Sequence, residues 1–151
     1  MIPQKGNLDF NGQQEILTEI GKEILSSAPD TWEEITYTVH AIVSYREEEM
    51  LVRHQGGELE KVGIPVGTAP RVSKLRAGMY QEGKGAWFSM EYTITRPGKF
   101  TTKFDYENEP EFIFKPSPEN YTQEIKHFPR TGDETPPWLR EMIRPSEEDT
   151  D

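Results

Sequence analysis

Two alternating stretches joined by a turn constrain this chain more than any other feature. Over residues 86–95, Phe88, Met90, Tyr92 and Ile94 oppose Trp87, Ser89, Glu91 and Thr93. A period of two belongs to a strand. Phe100, Thr102, Phe104 and Tyr106 repeat it on the return. Between them, Arg96-Pro97-Gly98-Lys99 places Pro and Gly where a type II turn takes them. The pattern predicts an antiparallel hairpin.

Other segments extend this frame. From Ile35, the residues Tyr37, Val39, Ala41, Val43 and Tyr45 share one side, against Thr36, Thr38, His40 and Ser44. β-branched and aromatic residues dominate, which predicts a long strand. Met50 to His54 reads as a second strand, closed by Gln55-Gly56-Gly57, and Leu59 to Pro65 as a short third. Helical spacing appears earlier, where Ile16, Leu17, Ile20, Ile24 and Leu25 form one stripe. Asn11, with Gln14 three residues on, predicts the cap of a helix over 12–27. Ala28-Pro29-Asp30 ends it. A second helix is expected from Thr68 or Ala69, with Pro70 in its first turn and Gly83 and Gly85 beyond its end. Ser117 and Pro118 open a third, striped by Tyr121, Ile125 and Phe128; Pro136-Pro137-Trp138-Leu139 begins a last short one.

Strands that follow one another through short turns pair antiparallel. The expected fold is α+β, a mostly antiparallel sheet of about five strands with helices packed on one face. The 151 residues fit one domain, expected over 1–144, with 145–151 as an acidic disordered tail.

Composition narrows the function. There is no cysteine, so disulfides, zinc–thiolate sites and cysteine nucleophiles are excluded together. The N-terminal ten residues carry no apolar run, and no stretch approaches the roughly 20 apolar residues of a membrane span. We expect a cytoplasmic protein with no membrane contact. His40, His54 and His127 lack short ligand spacing, so we expect no metal and no cofactor. Seven serines and three histidines offer a nucleophile and base in principle, but nothing in the sequence brings any pair together. Glu33-Glu34 and Glu47-Glu48-Glu49 read as solvated strand ends rather than a glycosidase pair.

Charge is the most informative remaining property. The formal net charge is −10, and residues 105–151 hold 13 acids against 5 bases. Such a field disfavours nucleic acid and speeds encounter with basic proteins. The only basic stretch is short, with Arg71, Lys74, Arg76 and Lys84. Acids alternate with aromatics and prolines after the hairpin. Asp105, Glu107, Glu109 and Glu111 are candidates for pairing with a partner's Lys and Arg, and Tyr106 and Trp138 for anchoring it. The same residues also suit a segment that merely covers the core. Phe112, Phe114 and Phe128 are expected in that core. Glu47, Glu48 and Glu49 form a rival acidic patch.

The chain resembles the YezG-like immunity proteins, bacterial antitoxins, in three stretches. They are the N-terminal helix running into Trp32-Glu33-Glu34-Ile35; Gly98-Lys99-Phe100 with Phe104-Asp105-Tyr106-Glu107 and Pro110; and Phe128-Pro129-Arg130 followed by Pro137-Trp138-Leu139. The basic segment 68–83 stands where many members have a long acidic helix. The resemblance implies a protein without enzymatic activity that binds a cognate toxin domain, often a basic nuclease, and blocks it. The reading from another class is a small enzyme or ligand-binding domain using a cleft between sheet and helices.

Overall fold

The computed structural model describes residues 4–143; the expected acidic tail, 145–151, lies outside them. Five strands form one sheet in the order β3-β2-β1-β4-β5. They are β1 (Trp32–Ile42), β2 (Tyr45–His54), β3 (Leu59–Val62), β4 (Ser89–Thr95) and β5 (Lys99–Asp105). Every pairing is antiparallel. The helices are α1 (Phe10–Ser26), α2 (Thr68–Gly78), α3 (Pro118–His127) and α4 (Pro137–Ile143). The fold is α+β, as expected. Among the described residues, no helix is long and apolar enough to cross a membrane.

The period-two patterns dictate the layers. Ile35, Tyr37, Val39 and Ala41 of β1 join Met50, Val52, Met90, Tyr92 and Ile94 in one buried face. Helices α1 and α2 cover it with Ile16, Leu17, Ile20, Ile24, Val72 and Leu75. Helix α1 comes close at Gly21, where an added Cβ would lie 2.6 Å from the Tyr92 hydroxyl. That hydroxyl donates to the Leu17 carbonyl at 2.6 Å. Helices α3 and α4 pack instead at one end of the sheet, where Tyr121 and Leu139 bury Ile42 and Phe88.

Several boundaries differ from expectation. Asp9, not Asn11, caps α1, accepting from the Gly12 amide at 2.8 Å. The hairpin turn is closed by the Gly98 N–H on the Thr95 carbonyl, so Pro97 is its third residue rather than the second, with a cis Arg96–Pro97 bond. Strand β1 stops at Ile42, and β2 starts at Tyr45, so Glu47, Glu48 and Glu49 lie inside a strand. Glutamates are poor strand formers; their pairing with β1 overrides that preference. Helix α2 ends at Gly78, and β4 begins only at Ser89. Residues 86–88 are all buried: Trp87 enters the main core and Phe88 the second cluster. Trp87 therefore does not share the polar face of Ser89 and Glu91.

A buried ion pair explains this packing. Helix α3 buries Glu124, whereas Ile125, expected in its apolar stripe, is half-buried. Glu124 is 1% exposed and Arg76 5%. The guanidinium grips the carboxylate twice, at 3.0 and 2.8 Å. Arg76 Nε donates to the Trp87 carbonyl at 2.7 Å, and Glu124 accepts the Val43 amide at 2.7 Å. The pair thus ties α2, α3, the β1–β2 turn and the approach to β4 into one network.

Removing one member of such a pair strands a buried charge. Glu124→Leu is expected to cost about 3–5 kcal/mol in urea unfolding. The Arg76→Met/Glu124→Leu double variant should lose less than the sum of the two single variants. Strictly additive losses would show that the pair is not coupled.

Candidate protein-binding surface

The segment after β5 is built around two carboxylates that hold backbone. Asp105 ends the strand and accepts from the amides of Glu107 and Asn108, both at 2.9 Å, and from Asn108 Nδ2 at 2.9 Å. Burial alone would raise its carboxyl; these hydrogen bonds outweigh it and hold the carboxyl below its ordinary range. Trp138 Nε1 then donates to the Glu107 carbonyl at 2.7 Å. Pro110 is buried, and Phe112 inserts edge-on against Tyr45, with ring centroids 5.1 Å apart.

Glu47 supplies the second anchor. Its carboxylate accepts from the amides of Ile113 at 2.7 Å and Phe114 at 3.0 Å, and from the Tyr45 hydroxyl. Burial would raise this carboxyl as well. The hydrogen bonds from Tyr45, Phe114 and Ile113, with the His40 ring nearby, bring it below its ordinary range. Lys115 closes the loop on Glu109 at 3.0 Å.

The register explains why these groups meet. Glu47 pairs with His40, His40 with Ser89, and Ser89 with Asp105. The four form one rung across β2, β1, β4 and β5, on the face opposite α1 and α2. Both backbone-holding carboxylates are the ends of this rung, so the segment 105–115 lies along one end of the sheet.

The expected site residues thus divide by role. Glu107 and Glu111 are exposed. Glu109 is half-buried and paired with Lys115. Asp105 is a turn former. Tyr106 packs against the main core, and Trp138 against Phe88 and Tyr121. The rival patch does not act as a unit. Glu47 joins the segment, Glu48 contacts the Tyr37 hydroxyl and Arg46, and Glu49 pairs with Lys61 at 3.8 Å. The basic stretch is also dispersed, since Arg76 is buried and Arg71 faces Glu19 and Glu23 of α1.

Phe114 overturns its core expectation. It is 75% exposed and Ile113 78% exposed. Phe112 enters the second cluster, while Glu47 holds the next two amides and leaves their side chains outward. No sequence signal marks Ile113, because its display depends on a bond to a residue 66 positions away.

Two arrangements bear on chemistry. His40 Nδ1 and Ser89 Oγ share a hydrogen bond of 2.8 Å, the contact their cross-strand pairing brings about. The His40 ring also meets the edge of Phe112. A cavity of about 510 Å³ lies between the β1–β2 turn, α2 and Phe128, lined in part by Arg46, Ser73 and Arg76. Both arginines are engaged, Arg46 with Ser73 and Glu48, Arg76 with Glu124. Among the described residues, no group of three His, Asp or Glu side chains is placed to hold a metal ion. His54 instead bonds Thr31 and Glu60. Neither a protein-family model nor a curated protein matches the chain.

Glu47→Ala should release the loop while leaving β2 paired. The amides of Ile113 and Phe114 are expected to lose hydrogen-exchange protection by about tenfold, the size of one net hydrogen bond. A lowered folded value fixes the sign with pH. The clamp is complete above the ordinary value of 4.5 and is lost as pH falls through the lower folded value. Unchanged protection in Glu47→Ala would mean that the clamp does not order the loop.

Proposed function

We propose that this chain is an immunity protein of the YezG-like kind, a cytoplasmic antitoxin that binds a bacterial toxin domain and inhibits it without catalysis. The observation that carries the reading is the acidic end of the sheet. Glu107 and Glu111 are exposed there on a segment held at both ends by Asp105 and Glu47. The chain as a whole carries a formal net charge of −10, which adds to the negative character of this segment. A nuclease cleft is basic because it binds phosphates, so an acidic surface competes for it and is steered towards it.

The second reading, a small enzyme or ligand-binding domain, draws on the cavity beside α2 and on the His40–Ser89 contact. The cavity's guanidiniums already have protein partners. The serine lies in a regular strand, where cross-strand pairing accounts for the hydrogen bond.

The test uses the product of the neighbouring gene as the partner. Purified chain and partner should associate, and Glu107→Lys/Glu111→Lys should slow association by about tenfold at low salt. The difference should shrink at 1 M salt, where the screening length is about 3 Å. Equal association rates at low salt would refute the electrostatic mechanism.

A further inference from the structure

Ile113 and Phe114 are adjacent, outward-facing apolar side chains on an ordered loop. Among the described residues, the other large exposed apolar side chains, Phe10, Leu59 and Val66, stand apart from one another in sequence. Single exposed apolar residues are ordinary on a protein surface; a neighbouring pair held outward is less so. Three contacts keep this pair from folding back. Phe112, immediately before it, is inserted against Tyr45. Both of the pair's own amides are held by Glu47. Lys115, immediately after it, is tied to Glu109.

We propose that Ile113 and Phe114 are the apolar anchor of the protein-binding surface, seated in a partner pocket that is apolar at its floor and rimmed by Lys or Arg. This rests on the binding reading above and names the residues that would hold the complex together. The rim follows from charge complementarity, since Glu111 lies two and three residues from the pair and Glu107 is exposed on the same segment. An anchor already fixed in its bound shape loses little conformational entropy on binding. Aromatic side chains are enriched in the cores of protein interfaces, and polar groups rim them. The acids and the apolar pair should therefore act on different rates. Exposed charges govern encounter, and the buried anchor governs escape.

The experiment measures association and dissociation rates of the neighbouring gene's product with wild type, Ile113→Ser/Phe114→Ser and Phe114→Ala, with Val66→Ser as an exposed control. The double variant should dissociate about 30-fold faster or more. Its association rate should stay within about twofold. Phe114→Ala should fall between it and wild type, and Val66→Ser should match wild type. Thermal melting should be unchanged in all three variants, since the replaced side chains face solvent. Wild-type binding with unchanged dissociation in the double variant overturns the anchor and leaves the binding reading standing. No binding by the wild type overturns both. Sedimentation of the chain alone covers self-association: a wild-type dimer dissolved by the double substitution would assign the pair to a second copy and overturn the proposal.

Discussion

The buried pair of Arg76 and Glu124 is the interaction on which the arrangement of this protein depends. Antiparallel strands and amphipathic helices account for the sheet and for α1, but they do not decide where α3 rests. A carboxylate that is 1% exposed needs a compensating charge and hydrogen-bond donors. It finds both on α2 and at the β1–β2 turn. Docking α3 there brings Tyr121 over the end of the sheet, where Trp138 of α4 meets it. Phe128, at the end of α3, lies 5.3 Å from the same guanidinium. The packing of α3, α4 and the β1–β2 turn therefore shares one electrostatic constraint.

That constraint reaches the proposed binding surface through Trp138. Its indole packs on Phe88 and Tyr121 and donates to the Glu107 carbonyl. The segment 105–115 consequently leans on the α3–α4 layer on one side and on the Glu47 carboxylate on the other. Few of its backbone groups belong to regular structure, yet side chains on three strands and one helix hold it. A loop positioned by a rigid scaffold is where binding residues are commonly found. Acidity alone serves solubility; here exposed acids stand beside an apolar pair that is held outward.

What the sequence made legible follows from range. Alternation is local, so the β4–β5 hairpin and the buried face of β1 could be read from Tyr92, Ile94, Phe100 and Val39 directly. The capping of α1 was misplaced by two residues because Asp9 and Asn11 are both good caps, and only geometry decides between them. Glu124 was invisible as a core residue: helical spacing marks apolar positions, and its partner Arg76 lies 48 residues away. The same applies to the site. The acids at 107–111 were legible as a run, but not that Asp105 and Glu109 are occupied locally. Phe114 reads as core because aromatics in a segment that covers a core usually close it; the Glu47 bond that turns it outward comes from a residue 67 positions away.

The central claim is that one end of the sheet, from Asp105 to Lys115 with Glu47 beneath, is the surface this protein uses to hold its partner. Amide exchange of the chain, free and in complex with the neighbouring gene's product, tests it most directly. Added protection is expected over 105–115 and along β2 near Glu47, with α1 and the β4–β5 turn unchanged. Protection confined to α1 and α2, or to the open face around Thr36 and Thr93, would contradict the account.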